Sequence, residues 1–339
     1  MYVLLYWCDF GERSKRTNLI HYELQRSRRW GLEMKVAILG GASFIGKHLV
    51  NRFIRDGNEV TSFVRKKGID KNTPIRNEVE FDFQDISSIS KLLSRFDVVV
   101  HLVSSSNPAS SRLDAKGDIQ HNLLGTIDLL KTLENSPGTR LIFASSGGAV
   151  YGKPKSMPIA ENHATDPVSP YGVSKLAIEK YLHISRLESG LDYKILRLSN
   201  PYGPLQVNNK GQGLIPTVIE KALKGESLTV WGDGFNTRDY VYIDDLEEAF
   251  VKAVEYTGDI RTFNVGSGVG SSVLEIVSAV SELIGSEMTI DFLPGRASDP
   301  SANVLDVRLA STELGWEPKT SLSEGLGMSV EWNRERLGL

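Results

Sequence analysis

The chain has 339 residues, 40% of them hydrophobic, enough to bury one large core or two smaller ones, which excludes the disordered and fibrous classes. Its formal net charge of -3 leaves no basic excess to neutralise a phosphate backbone, so nucleic acid is a poor main partner and any anionic ligand must be held by a few placed residues. Cys8 is the single cysteine, so no internal disulfide and no cysteine-rich metal cluster can form, no metal site is expected, and a reducing cytoplasm fits; no apolar run approaches the roughly 18 residues of a membrane span.

Residues 1–33 read differently from the rest. MYVLLYWC is a short apolar start without a basic region ahead of it, and the polar, arginine-rich stretch that follows is unlike a cleavage site, so a signal peptide is not expected. Met34 stands immediately before the first strong strand. The stretch reads as an upstream extension or a misassigned start, with a partner-binding or membrane-surface arm as the alternative.

From Met34 strands and helices alternate. KVAILG (35–40) is a short apolar run ending in glycine, and SFIGKHLVNRFIRDG (43–57) carries apolar residues at helical spacing before an Asp-Gly stop. EVTSFV (59–64), VEFDF (79–83), DVVVHLVS (97–104) and RLIFASS (140–146) read as strands, separated by helical stretches such as IQHNLLGTIDLLKTLEN (119–135). Apolar strands alternating with helices imply an α/β fold with a Rossmann-like, doubly wound parallel sheet. After LDYKILRLSNPYGP (191–204) glycine and proline rise and the alternation weakens, so a smaller second region is expected. The expected organisation is a dinucleotide-binding domain over 34–178, with strands returning from about 191–200 and 239–265, and a substrate-binding region that makes up most of 179–339.

GGASFIG (40–46) lies in the turn between the first strand and the first helix. A glycine-rich strand-to-helix turn lets backbone N–H groups and the positive helix N-terminus approach a pyrophosphate that side chains would obstruct. Gly40, Ser43, Phe44, Ile45 and Gly46 are therefore candidate NAD(P) contacts. The acidic residue that would bond both ribose hydroxyls of NAD is missing at the end of the second strand, where Val64 is followed by Arg65, Lys66 and Lys67. Arginine there suits a 2′-phosphate and points toward NADP(H); a solvated basic turn is the plainer reading.

SPYGVSKLAIEKYL (169–182) sets Tyr171 four positions before Lys175. Ser169 is a good N-cap and Pro170 fits the first helical position, so both side chains share one face of a helix, where the ammonium would favour the phenolate and lower the tyrosine pKa. A Tyr-x-x-x-Lys match alone is common and mostly means surface. FASSGGAVYG (143–152) raises its weight by supplying hydroxyls at the carboxyl edge of the sheet.

Together with LRLSNPYGP, VWGDGFNTRDYVYIDDLEEAF, FNVGSG and PGRASDP, these stretches resemble the extended short-chain dehydrogenase/reductase family. The match is to its nucleotide-sugar epimerase/reductase branch and runs from Met34 nearly to the C-terminus. The resemblance implies that Tyr171 is the acid/base, that Lys175 binds the nicotinamide ribose, and that Ser146, with Ser145 as an alternative, bonds the sugar hydroxyl. It matches Asp82 to adenine contact and Leu102, Val103 and Ser104 to the cofactor-lining strand end. Asn200, Arg238, Arg296 and Asp299 match positions that hold the nucleotide diphosphate. Asp244 reads as a structural helix cap, Asn122 as a tie between sheet and helix, and His101 as core packing. Ser43 stands where the family has its second glycine and Leu39 where it has threonine. No Asp-Glu pair occupies the GGA segment, which disfavours 4,6-dehydration.

Two enzyme readings and one other remain at this level. Val64 and Arg65 favour, narrowly, NAD(P)H-dependent reduction of the C4 ketone of a nucleotide-diphospho-4-keto-6-deoxyhexose. The alternative is an NAD-dependent nucleotide-sugar 4-epimerase, and a non-catalytic nucleotide-sugar or NAD(P) sensor is the third. The partner is a nucleotide-diphosphate sugar, with no membrane, and the resemblance implies a homodimer through helices 119–135 and 170–187.

Overall fold

Short runs of five or six apolar residues cannot bury themselves as helices, and here they lie side by side as strands. A computed structural model describes residues 33–65, 77–207, 213–295 and 300–339. Residues 1–32, Lys66, Lys67, Arg296 and Asp299 lie outside the described residues. In chain order the strands are β1 (Lys35–Leu39), β2 (Glu59–Val64), β3 (Glu78–Glu80), β4 (Val98–His101), β5 (Arg140–Ser146), β6 (Asp192–Leu198) and β7 (Asn200–Tyr202). They continue with β8 (Leu228–Trp231), β9 (Thr237–Tyr242), β10 (Thr262–Val265), β11 (Gly270–Ser272), β12 (Ile290–Leu293) and β13 (Ala302–Asn303).

The main sheet runs β10-β6-β5-β4-β1-β2-β3, every neighbouring pair parallel. Its strand order reverses between β1 and β4, the place where such sheets open a crevice for ligands. Alternate residues of β1 face opposite cores. Val36 and Ile38 pack with Leu49, Val50 and Phe250, while Ala37 and Leu39 pack with Leu130, Phe143 and Leu182. Both faces are covered, so the strands are apolar throughout rather than alternating with polar residues.

The longer helices are α1 (Phe44–Arg55), α2 (Gly125–Glu134), α3 (Pro170–Ser189), α4 (Leu214–Lys224), α5 (Ile243–Glu255), α6 (Val273–Ile284), α7 (Arg308–Leu314) and α8 (Leu322–Leu337). As expected, Ser169 caps α3, its hydroxyl accepting from Gly172 N at 3.2 Å, and Pro170 follows. Beyond β6 the chain builds a small sheet ordered β11-β9-β13, with β7 also on β9, and a parallel β8–β12 pair. Ile215, Val230, Ile276 and Val330 from this half join the core that holds Val36 and Phe53. The expected change of role at residue 179 falls inside α3.

Three expectations need correction. The strand expected over 79–83 stops at Glu80, because β3 is the sheet edge; Phe81 and Phe83 turn inward, with ring centroids 5.7 Å from Phe63 and 5.0 Å from His101 respectively. The helix expected from 119 opens as a π-helical stretch, Ile119–Leu124, where Thr126 Oγ1 donates to Asn122 O at 2.6 Å. Asp244 does not cap a helix: Tyr242 holds the cap position of α5 without a side-chain bond. The structural carboxylate is the next residue, Asp245, which accepts from Lys319 N (3.0 Å) and Thr320 N (2.9 Å).

Candidate active site

The turn after β1 is shaped by what its glycines lack. Gly40 sits at φ +91°, a left-handed conformation that glycine adopts without strain, and its N–H and that of Gly41 donate to Phe63 O. A Cβ on Gly46 would lie 2.3 Å from Gly40 O, and one on Gly41 2.1 Å from Ser62 Oγ, so α1 and β2 close onto the turn only because side chains are missing. Ser43 departs from the family glycine with a purpose: its hydroxyl accepts from Gly46 N at 3.1 Å and caps α1. The N–H groups of Phe44 and Ile45 precede any intrahelical acceptor and open the positive end of α1 to an anion. A Cβ on Gly40 would stand 3.5 Å from Leu102 at the end of β4, which places the turn at the strand-order reversal. This cradle fits a dinucleotide pyrophosphate. Arg65 and Asp82, both exposed, follow β2 and β3 at the same edge, and Asp82 Oδ1 accepts from Gln84 N at 2.9 Å.

The next strand ends decide between the two serines. Ser145 is buried and donates to Glu179 Oε1 at 2.6 Å, whereas Ser146 stands by the Tyr171 hydroxyl and favours its ionised form. Ser146 is therefore the hydroxyl that faces the tyrosine. Lys175, 5% exposed, donates from Nζ to Ala144 O at 2.8 Å and lies 5.8 Å from the Tyr171 ring centroid.

That orientation corrects the expected tyrosine pKa. The ammonium is turned onto a carbonyl rather than the phenol, so desolvation wins and Tyr171 is pushed up to about 12; the nearby Ser146 side chain opposes this and the Asp118 charge adds to it. Burial also pushes Lys175 down to about 8, against the opposing charges of Asp118 and Glu179. His101 is core, as expected, with Nε2 2.9 Å from Thr126 Oγ1, and burial followed by the Lys175 charge lowers it to about 3. Asn122 also holds as a tie, its Oδ1 accepting from Ser105 N at 2.8 Å.

Two buried carboxylates beside Lys175 are absent from the sequence reading. Glu179 accepts from Arg197 Nη2 (2.6 Å) and Nε (3.1 Å), and Arg197 Nη1 donates to Tyr151 Oη at 2.9 Å. Glu179 was findable, since it stands four residues after Lys175 on the same helical face. Asp118, 2% exposed, accepts from Asn122 Nδ2 at 2.9 Å and from the Ser106 and Ser174 hydroxyls. Nothing in its local sequence marks it, because its partners come from three segments.

On the opposite wall Asn200 Nδ2 donates to Asp239 O at 2.8 Å, and half-buried Arg238 donates from Nη1 to its neighbour Thr237 O at 2.8 Å. Asp239 is fully buried and accepts from Ser267 N (2.7 Å), Ser267 Oγ (2.8 Å) and Leu305 N (3.2 Å); burial raises its pKa. Asn303 of β13 is in register with Arg238. Elsewhere among the described residues, His48, Asp244 and Glu247 bring ligand atoms within 4.8 Å of one another. Both His48 nitrogens are already engaged there, with Glu247 Oε1 and Pro204 O at 2.9 Å each. No described helix is long and apolar enough to cross a membrane.

Residues 36–266 match the NAD dependent epimerase/dehydratase family. The chain is 33% identical over 311 residues to a UDP-glucose 4-epimerase of Mycolicibacterium smegmatis, covering 89% of this chain and 99% of that one. It is 31% identical over 305 residues to a dTDP-4-dehydro-6-deoxyglucose reductase of Escherichia coli, covering 87% and 96%. Its fold superposes with a TM-score of 0.85 on a UDP-glucose 4-epimerase of Thermotoga maritima solved with UDP-glucose, at 35% identity over 90% of this chain and 100% of that one. The family match runs from β1 through the end of β10 and so takes in the cradle, the serine and the Tyr–Lys pair together. The chain is an extended short-chain dehydrogenase/reductase and belongs to the NAD dependent epimerase/dehydratase family.

Proposed function

We propose that the chain is an NAD-dependent nucleotide-sugar 4-epimerase acting on a UDP-hexose. The observation that carries this reading is its likeness, over nearly the full length of both chains, to UDP-glucose 4-epimerases. The ketoreductase preference drawn from Val64 and Arg65 takes second place.

NAD, when bound, supplies the redox step at C4 of the sugar. The Phe44 and Ile45 N–H groups hold its pyrophosphate, with Gly40, Gly46, Asp82 and Leu102 shaping the cleft. Tyr171 Oη, as phenolate, takes the proton of the C4 hydroxyl and, as phenol, returns it to the alkoxide on the other face, while Ser146 favours that phenolate and orients the sugar oxygen. Lys175 keeps a cation within the buried site. Asn200 and Arg238, with Arg296, hold the diphosphate, where forked guanidiniums supply both charge and geometry, and Asp299 accepts from a hydroxyl of the nucleotide.

The experiment is incubation of the purified protein with UDP-glucose, read by NMR for UDP-galactose and by reduced-nicotinamide absorbance. Interconversion with flat absorbance is expected. Stoichiometric loss of NADPH on a dTDP-4-keto-6-deoxyhexose, without interconversion, would overturn it in favour of the reductase that Arg65 suits.

We read the partner as a second copy of the chain and the compartment as the cytoplasm. Val173 and Leu187 of α3 are 52% and 73% exposed and Ile119 and Leu124 46% and 49%, a run of apolar side chains that a homodimer would cover. A monomer mass by light scattering would remove the dimer.

A further inference from the structure

Of the two buried carboxylates beside Lys175, Asp118 is the one bonded by no guanidinium. Glu179, its counterpart, is neutralised by the bidentate guanidinium of Arg197. Asp118 is held by uncharged donors only: the Ser106 hydroxyl from the loop after β4, the Asn122 amide from the π-helical stretch, and the Ser174 hydroxyl from α3. A buried charge is tolerated when it is hydrogen-bonded and faces an opposite charge, and Ser174 is the chain neighbour of Lys175. We propose that Asp118 is a positioning residue of the active site, locking the helix of Tyr171 and Lys175 onto the loop after β4 and serving as the buried counter-charge of the Lys175 ammonium.

Of the other groups facing Lys175, Glu179 also opposes the downward push of burial. Glu179 lies one turn along the same helix and shares its charge with Arg197, to which it is bonded. His101 on β4 is neutral at any physiological pH, since burial holds it near 3. Asp118 stands first among the charges opposing the downward push of burial on Lys175. The same carboxylate opposes ionisation of Tyr171. It thus favours the fully protonated pair, ammonium and phenol together. The π-helical turn that begins one residue later places Asn122 where it can bond Asp118 and the loop at once.

The inference rests on Tyr171 and Lys175 being the working pair of the proposed epimerase. Its test does not depend on turnover, so the two can fail separately. In protein carrying 13C-labelled lysine, the Lys175 Cε resonance, assigned with Lys175→Met, is followed through its titration, expected about pH 8 in the parent chain. Asp118→Asn keeps the size and much of the hydrogen bonding while removing the charge. It is expected to lower the midpoint by roughly one pH unit or more, the usual effect of an opposite charge at close range. Asp118→Ser removes the same charge with a different shape and must move the titration the same way; if either variant fails to fold, the other gives the reading. A midpoint unchanged in a folded, charge-neutral variant would overturn the proposal and leave Asp118 as a structural tie.

Discussion

The wall that the proposed reading gives to NAD and the wall it gives to the sugar nucleotide are built in opposite ways. The first is local: Gly40, Ser43 and Gly46 lie within seven residues, and their backbone makes the anion site with little help from elsewhere. The second is assembled: Asn200 hangs from Asp239, Asp239 is held by Ser267 and Leu305, and Asn303 aligns with Arg238, so four distant segments meet there. A backbone site tolerates little change at its glycines because nothing can move to compensate. An assembled side-chain site is expected to lose its contacts one at a time.

The largest effect should come where the two walls meet. Tyr171→Phe is expected to leave folding and NAD retention intact while lowering turnover by roughly 10²-fold or more, about 2.7 kcal/mol of barrier. Steady-state rates with either UDP-hexose would check it, and an unchanged rate would return the Tyr–Lys pair to a structural role.

Gly46→Ala attacks the cofactor wall. Its Cβ would press on Gly40 O and the Gly41 backbone, so the turn must open, at a cost of about 1–3 kcal/mol in thermal or denaturant unfolding together with loss of bound NAD. Full NAD retention at normal stability would show that the turn is less close-packed than described. Arg238→Gln attacks the other wall. It is expected to raise KM for the UDP-sugar roughly tenfold, about 1.4 kcal/mol, with NAD content and kcat nearly unchanged. A fall in kcat with constant KM would mean that Arg238 acts on the reacting sugar instead.

The smallest effect at neutral pH belongs to His101. Its folded pKa of about 3 lies below the unfolded 6.5, so between those values the unfolded chain binds the extra proton and stability falls as pH falls. Within that window the loss is about 1.4 kcal/mol per pH unit, and above it nothing changes. His101→Gln should flatten the acid limb of unfolding midpoint against pH by that slope. An identical limb in the variant would assign acid sensitivity to other groups.

Legibility in the sequence follows the same division. The β1 turn, the Ser169-Pro170 start of α3 and the Tyr171–Lys175 spacing are short-range patterns whose geometry follows from φ, capping and helical period. Asp118 was illegible because its three donors come from residues 106, 122 and 174. The truncated β3 could not be read either, since only its place at the sheet edge frees Phe81 and Phe83 to turn inward.

The parallel α/β sheet, the glycine turn after β1 and the shared helical face of Tyr171 and Lys175 are legible in the chain alone, because each is a pattern within one or two elements. That Ser146 rather than Ser145 stands by the tyrosine, and that Lys175 bonds Ala144 O instead of the phenol, follow from packing. Packing likewise buries Tyr171, which raises its pKa. Those outcomes depend on which groups are desolvated together, and desolvation is a property of the packed chain rather than of spacing along it.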